Sequence, residues 1–236
     1  MTSLPRPLNH LLQALPAAEF EALSPCLEPV ELVRESILVE AGAPLTHVYL
    51  PHSGVISMMV RLSGGQAVEV AMIGRDSIYR ACTAFVDGIS STDAVVLLPG
   101  TASVIDVAVL RAVADRSAVL RNLLARHEQA LFTQAQQSAV CNASHSVEAR
   151  LSRWLLRARD LCHSETLPLT QELLAELIGV QRNAVSIVAH ALQRAGIIRY
   201  SRGHIDIKNP EGLRETSCEC YAVIKTQHQR LLNLSP

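Results

Sequence analysis

Residues 169–203, LTQELLAELIGVQRNAVSIVAHALQRAGIIRYSRG, contain two short amphipathic segments followed by a hairpin-like stretch. Thr170 is placed to cap the first segment, whose apolar residues repeat on one side as they do on the buried face of a helix. Gly179 permits a sharp turn, and a second helix is predicted from about 181 to 194, where Gly196 ends it. This order of elements predicts a helix-turn-helix unit.

The second of these helices has two different faces. Its apolar side is predicted to hold Val185, Val188, Ala189 and Leu192, at intervals of three and four residues. Its other side carries Arg182, Asn183, Ser186, Ile187 and His190. Most of these groups are able to hydrogen-bond to base edges or phosphates, and the positive N-terminal end of a helix attracts phosphate.

The stretch that follows, IIRYSRGHIDI at 197–207, alternates around Ser201-Arg202-Gly203. This pattern predicts a two-stranded wing with an arginine at its tip. The whole unit is therefore interpreted as a winged helix-turn-helix that binds DNA. The alternative is a helix pair that serves only as a structural core.

The first half of the chain has the pattern of an antiparallel β structure. Between about 28 and 110, short apolar runs alternate with turns, and Ser63-Gly64-Gly65 separates two β-rich runs that are predicted to pair. Short strands without long helical stretches between them favour a sandwich or roll. With 236 residues, 49% of them hydrophobic, the chain is expected to form two domains.

A long helical region follows, because the stretch from 107 to 162 contains neither proline nor glycine. Within it a row at alternating spacings of four and three is formed by Leu120, Leu124, His127, Leu131, Gln134, Ser138 and Cys141. Such a row lets one helix lie along another, either within its own domain or in a second copy of the chain; self-association is favoured, with Leu120, Leu124, His127 and Leu131 at the interface. Asn142, Ser144 or Ser146 is expected to cap the next helix.

The charge is unevenly distributed, although the formal net charge is only −1. Residues 1–141 carry 9 basic and 13 acidic side chains, whereas residues 142–236 carry 12 and 9. A polyanion is therefore expected to meet the second half. The six cysteines are scattered and predict free thiols, and no apolar stretch is long enough to span a bilayer, so a cytoplasmic protein without membrane partners is expected.

The succession of these features resembles the Crp/Fnr family of bacterial transcription regulators. The resemblance covers nearly the whole chain and is most specific at the C-terminal end, in Thr170, Leu174-Ala175, Gly179-Val180, Val185, Leu192, Ala195-Gly196-Ile197-Ile198 and the Ile205 to Ile207 pair. It is looser in VYLPHSGVISMMVRLSGGQAVEVAMIGRDSI. The resemblance implies an α+β chain with a cyclic-nucleotide-binding-like β-roll (1–116), a dimerisation helix (117–141) and a winged helix-turn-helix domain (142–236).

The resemblance also implies how the protein works. A homodimer is expected on a near-palindromic operator, with RNA polymerase as a further partner. Base contacts are expected from Arg182, Asn183, Ser186 and His190, and phosphate contacts from Thr170, Gln181 and Arg202. The chain departs from the family where the best-known members have a second arginine, because Ile187 stands there. Ile187 is able to contact a thymine methyl but not to pair with guanine, so the operator sequence is not carried over.

The effector is left open by the sequence. Ala81 falls near the position where cyclic-nucleotide members have a glutamate, and between Arg80 and Arg111 there is no arginine for the phosphate, so the usual cAMP mode is not expected. Arg75 and Arg80 are interpreted as exposed residues. The clustered N-terminal cysteines of the oxygen-sensing members are also missing, since only Cys26 lies in that region.

An alternative sensor uses Cys141 and His145, four residues apart, to hold a metal or haem or to respond to redox state. Cys162 and His163 lie near this pair in the sequence, and Cys218 and Cys220 are expected to point to different faces of a helix.

Two other classes of function are weighed against a DNA-binding regulator. One is a small-molecule-binding regulator in which the helix pair serves only as an interaction module. The cluster of Arg182, Arg199 and Arg202 argues against it. An enzyme is not expected, because no nucleophile and base at motif spacing and no phosphate-binding glycine-rich loop occurs.

Overall fold

Seven strands between residues 28 and 106 form two antiparallel sheets in the computed structural model, which describes residues 8–79, 85 and 88–232. One sheet has the strand order β1-β7-β3 and the other the order β2-β6-β4-β5. The strands are β1 (Glu28–Leu32), β2 (Ile37–Val39), β3 (His47–Pro51), β4 (Val55–Arg61), β5 (Ala67–Ile73), β6 (Asp93–Leu98) and β7 (Gly100–Asp106). The expected β-roll is therefore present.

The turn at Ser63-Gly64-Gly65 joins β4 to β5 as predicted, since these strands pair antiparallel. Gly65 has a φ of +83°, which residues other than glycine rarely adopt. A second glycine, Gly54, also has a positive φ of +77°, and a side chain there would lie 2.6 Å from the carbonyl oxygen of Leu98. Gly54 therefore allows two parts of the roll's backbone to approach each other closely.

Short helices close one end of the roll. α1 (His10–Ala14) begins at Asn9, whose side-chain oxygen accepts hydrogen bonds from the first turn and whose amide donates to the carbonyl oxygens of Pro51 and Ser77. α2 (Ala17–Leu23) follows, and α3 (Val107–Arg116) begins directly after β7. Asp106 caps α3 by accepting from two backbone N–H groups.

α4 (Ala118–Ser144) is the longest helix, with 27 residues. Every member of the predicted row is buried: Leu120, Leu124, His127, Leu131, Gln134, Ser138 and Cys141. These side chains pack within the chain, against the roll, α1 and the C-terminal helix. His127, for example, accepts a hydrogen bond at Nε2 from the backbone N–H of Ile78, and burial lowers its pKa to about 3. The assignment of Leu120, Leu124, His127 and Leu131 to a dimer interface is therefore wrong, because the chain itself covers them.

The second half of the chain is a winged helix-turn-helix domain with an additional C-terminal helix. The elements of this domain are α5 (Val147–Cys162), β8 (Thr166–Leu167), α6 (Gln171–Leu177), α7 (Arg182–Arg194), β9 (Ile198–Ser201), β10 (His204–Ile207), α8 (Pro210–Thr216) and α9 (Cys220–Leu232). Ser146, one of the three predicted caps, begins α5. The wing has three strands in the order β8-β10-β9, one more than predicted. α9 runs back along α4.

The roll and the C-terminal domain share one apolar core. Met72 and Leu97 of the roll pack in the same cluster as Trp154 of α5 and Leu174 of α6. Gly179, in the turn between α6 and α7, lies against Val68 of β5, which a side chain at this glycine would approach to 3.3 Å. The C-terminal domain is therefore held directly on the roll.

No helix within the described residues is long and apolar enough to cross a membrane.

Candidate nucleic-acid interface

The two helices of the predicted unit are held by a cap, a turn and a shared core. Thr170 caps α6, because its hydroxyl oxygen accepts a hydrogen bond of 3.2 Å from the backbone N–H of Leu173. Gly179 has a φ of +65° in the turn. The apolar side of α7 is buried, as the spacing predicted, at Val185, Ala189 and Leu192. This packing fixes which side of α7 faces away from the protein.

The exposed side of α7 carries most of the predicted base-contact residues. Arg182, Asn183 and His190 are exposed, and Ile187 is the most exposed large apolar side chain described, at 71%. Ser186 lies at the edge of this face and is partly buried, with its hydroxyl donating a 2.6 Å hydrogen bond to the side-chain oxygen of Gln171. The face therefore combines hydrogen-bonding groups with one bulky apolar group.

Arg182 has an acidic neighbour. One of its guanidinium nitrogens lies 4.0 Å from a carboxylate oxygen of Glu172, and both side chains are well exposed. An exposed ion pair at this distance contributes little, about 0–1 kcal/mol, so it is readily exchanged for a phosphate or a base.

The N-terminal end of α7 is open. Among the described residues, no side chain is hydrogen-bonded to this helix end as a cap, and Gln181 stands at the capping position. The first backbone N–H groups of a helix have no partners within the helix, and together they form a site of positive potential. Gln181 and these N–H groups are thus placed for contact with an anion.

The tip of the wing carries an exposed arginine. β9 and β10 pair from His204 opposite Ser201 to Ile207 opposite Ile198. The turn between them is made by Arg202 and Gly203, with φ values of +48° and +78°. Such angles suit a two-residue hairpin turn, and they place the Arg202 side chain in solvent.

A buried carboxyl group links the roll to α5. Glu69 of β5 accepts a hydrogen bond of 2.8 Å from the indole N–H of Trp154 and one of 2.6 Å from the hydroxyl of Ser57. Burial raises the pKa of Glu69 to about 7, an effect that these two hydrogen bonds and the nearby Arg153 and Arg157 offset only in part. Glu69 therefore carries a proton over much of the acidic and neutral range.

A buried ion pair forms a second link. Arg157 of α5 donates hydrogen bonds of 2.6 and 3.1 Å to the two carboxylate oxygens of Asp76, which follows β5. Although burial acts in the opposite direction, the charge of Arg157 holds the pKa of Asp76 well below its usual range. His228 of α9 lies 3.8 Å from the same carboxylate, and burial lowers the pKa of this histidine to about 4. Sequence reasoning missed both links because their partners are about 80 residues apart in the chain.

Three cysteines and one histidine come together where α4 ends and α9 begins. Cys141 and His145, at the end of α4, lie beside Cys218 and Cys220 at the start of α9, with their ligand atoms within 4.8 Å of one another. Cys218 precedes α9 and is not in a helix, so the expectation that this pair points to different faces is wrong. Burial raises the pKa of Cys141, and it raises that of Cys218 to about 12. Cys162 does not belong to this cluster; its thiol donates a hydrogen bond to the carbonyl oxygen of Ala158.

The sensor residues are only partly described. Ala81 and Arg80, on which the argument against the usual cAMP mode partly rests, lie outside the described residues. Arg75 is half-buried, and its Nε–H donates a 3.0 Å hydrogen bond to Nε2 of His10. Arg75 is therefore directed toward α1 and is not the exposed residue that was expected.

Comparisons with known proteins agree with this geometry. Residues 149–216 match the family model of the Crp-like helix-turn-helix domain. The fold is similar to that of FixK2 from Bradyrhizobium japonicum, at 15% identity and a TM-score of 0.69, over 81% of this chain and 98% of that one. It is also similar to a Crp/Fnr regulator from Eubacterium rectale, at 17% identity and a TM-score of 0.68, over 87% and 96% of the two chains.

A third similar structure is a transcriptional regulator of the CRP/FNR family from Thermus thermophilus, at 19% identity and a TM-score of 0.67, over 80% of this chain and 98% of that one. A search of curated protein sequences finds no match.

The matched domain agrees with the geometry of α6, α7 and the wing, since residues 149–216 form a Crp-like helix-turn-helix domain. The chain therefore contains a Crp-like helix-turn-helix domain, as its sequence predicted, and its fold is similar to that of Crp/Fnr regulators.

Proposed function

We propose that the protein acts as a homodimer that binds a near-palindromic operator, with α7 of each copy in a major groove. The observation that carries this proposal is the exposed face of α7 with its uncapped N-terminal end, in a domain whose wing also exposes Arg202. Two copies related by a two-fold axis would place two such helices about one helical turn of DNA apart.

The residues of this face have separate roles in the proposal. Arg182 donates two hydrogen bonds to a guanine and Asn183 pairs with an adenine, each worth about 1–3 kcal/mol of discrimination. Ser186 and His190 lie further along α7 and contact bases near the edge of the site, where Ser186 exchanges its bond to Gln171 for one to DNA.

Ile187 packs on a thymine methyl, so it favours thymine at that position of the operator. A second arginine there would not favour thymine in this way. The phosphate contacts come from Thr170, Gln181 and Arg202, which position the domain without reading sequence.

The dimer is proposed to form through a different face of α4 from the one first predicted. A second row at spacings of three and four is exposed along the whole helix and contains no charged residue: Asn122, Ala125, Gln129, Phe132, Gln136, Ala139 and Ala143. Phe132 is 57% exposed at its centre, and Val140 beside the row is 55% exposed. Three alanines and three uncharged amide side chains surround the one aromatic side chain, and an exposed stripe without charges is typical of a helix with a partner.

DNA recognition is tested by selecting bound sequences from a random duplex pool at fixed salt, with the wild type and an Arg182→Ala variant. The proposal expects a palindromic motif from the wild type and the loss of one specified position in each half-site from the variant. Arg116→Ala, which removes an exposed arginine of α3, is the matched control and is expected to keep the motif. Binding without sequence preference by the wild type, or an unchanged motif in Arg182→Ala, contradicts the assignment.

Dimerisation is tested by sedimentation of a Phe132→Glu variant. We expect monomers, because two carboxylates in the centre of an uncharged helix interface would be buried without a cationic partner. Val33→Glu is the control, since Val33 lies on the roll and is similarly exposed, at 61%. A Phe132→Glu protein that sediments like the wild type rules out this interface.

The partners and effector follow from the class of protein. A DNA-bound transcription regulator acts on RNA polymerase, which is therefore its proposed protein partner, and it works in the compartment that holds the DNA. We propose no catalytic role. The effector of the roll stays unassigned, and the alternative sensor built on Cys141 and His145 gains support from the side chains that surround it.

A further inference from the structure

The end of α4 and the start of α9 bring four metal-binding side chains together. The Sγ atoms of Cys141 and Cys218 are 3.5 Å apart, and the Sγ atom of Cys220 is 3.5 Å from Nδ1 of His145. In a tetrahedral zinc centre with Zn–S bonds of about 2.3 Å and Zn–N bonds of about 2.0 Å, the S···S and S···N separations are about 3.8 and 3.5 Å. These two separations are therefore already near those that one zinc ion requires, and all four ligand atoms lie within 4.8 Å of one another.

The orientation of His145 is also that of a metal ligand. With Nδ1 directed toward the cysteine sulfurs, Nε2 lies 3.3 Å from a carboxylate oxygen of Glu219. Histidines that bind metals usually donate their other ring N–H to such an acceptor, which fixes the tautomer and the ring. The amide of Gln137 donates a 3.1 Å hydrogen bond to the sulfur of Cys220, so the environment supports a sulfur that carries negative charge.

The charges around the cluster favour occupation by a cation. Cys141 and Cys220 are fully buried and Cys218 is nearly so, which makes three thiolates without a cation costly. One Zn²⁺ replaces the three thiol protons and leaves the centre with a net charge of −1. Burial raises the pKa of the Cys141 thiol, and the positive charge of the nearby buried Arg153 opposes this rise only in part; the same guanidinium offsets the negative charge of the centre.

We propose that Cys141, His145, Cys218 and Cys220 bind one Zn²⁺ ion, which fastens α9 to the end of α4. Three thiolates and an imidazole fill all four positions of a tetrahedral ion and leave none for a substrate, which is the arrangement of a structural site. The site adjoins Ser146, where α5 begins and the chain passes into the DNA-binding domain. The ion therefore holds the junction between the long helix and that domain.

Titration of the purified, reduced, metal-free full-length chain with Co²⁺ tests this inference without reference to DNA. We expect one Co²⁺ per chain, with the absorption bands of a tetrahedral thiolate complex, and displacement of that ion by one equivalent of Zn²⁺. Cys220→Ser is expected to weaken binding at least 100-fold, and Glu219→Gln, which removes only the partner of His145, about 10-fold. Cys26→Ser and Cys162→Ser are the matched controls and are expected to keep the full spectrum.

A second measurement covers variants that fold poorly. A zinc chelator is expected to lower the melting temperature of the wild type. His145→Ala changes a partly exposed residue; without chelator this variant is expected to have a lower melting temperature than the wild type, and the chelator is expected to lower it less. The inference is overturned if Co²⁺ binds with octahedral spectra only, if Cys220→Ser binds as the wild type does, or if the purified chain contains a disulfide between Cys141 and Cys218 and no metal.

Discussion

Replacing Glu69 by glutamine should change how the stability of the protein depends on pH. Burial raises the pKa of this carboxyl group from 4.5 to about 7 in the folded protein, whereas in the unfolded chain it returns to its ordinary value. The folded state therefore holds a proton that the unfolded state loses, and this favours unfolding as the pH rises from about 4.5 through 7. A shift of this size corresponds to about 3 kcal/mol of unfolding free energy.

Glutamine keeps the shape and the acceptor oxygen for Trp154, but it has no proton to lose. We therefore expect the unfolding free energy of Glu69→Gln to exceed that of the wild type at pH 8 by about 2–3 kcal/mol more than it does at pH 5. Urea denaturation followed by circular dichroism at several pH values measures this difference. Buried histidines such as His127 and His228 titrate in both proteins, so their contributions cancel.

Glu21→Gln, which changes an exposed carboxylate of α2, is the matched control and should give a difference that does not vary with pH. If the difference between Glu69→Gln and the wild type were also constant from pH 5 to 8, the buried carboxyl group would be ionised throughout, and the reasoning from its burial would be refuted.

Three further substitutions test the packing. Asp76→Asn leaves the buried Arg157 without its counter-charge, so we expect urea denaturation at pH 7 to show an unfolding free energy that is lower by about 3 kcal/mol. Because folding lowers the pKa of Asp76, this loss should shrink as the pH falls below 4. A loss that stays constant with pH would speak against the ion pair. Gly54→Ala should lower the unfolding free energy by about 2 kcal/mol or more, because residue 54 has a positive φ and the nearby carbonyl oxygen leaves no room for a methyl group. An unchanged melting temperature would contradict this. Leu124→Glu should unfold the chain because it buries a charge in the core, whereas Phe132→Glu should remain folded. Circular dichroism distinguishes the two variants, and equal stability would show that the faces of α4 are assigned wrongly.

Local patterns in the sequence were enough to predict most of the fold. The glycine turns, the cap at Thr170 and the spacing on α7 are short-range signals that the structure confirms, and Ser146 is the one of the three candidate caps that begins α5. The row on α4 was recognised correctly as a packing seam, but spacing alone does not reveal whether the partner is another chain or the roll.

The features that sequence reasoning missed depend on contacts between distant residues. β8 has only two residues and becomes a strand only through β10, and Glu69 looks like any strand glutamate until Trp154 covers it. Cys218 was assigned to a helix that starts two residues later, and this small error at a helix boundary concealed its approach to Cys141.

Trp154 is the single tryptophan of the chain; it lies fully buried on the side of α5 that faces β5, and its indole N–H donates to Glu69. Its fluorescence therefore reports on one contact, the one that joins the roll to the DNA-binding domain. Any ligand, ion or operator that separates these parts should shift the emission to the red as water reaches the indole. The protein thus carries its own optical probe of domain movement, and effectors can be screened without attaching a dye.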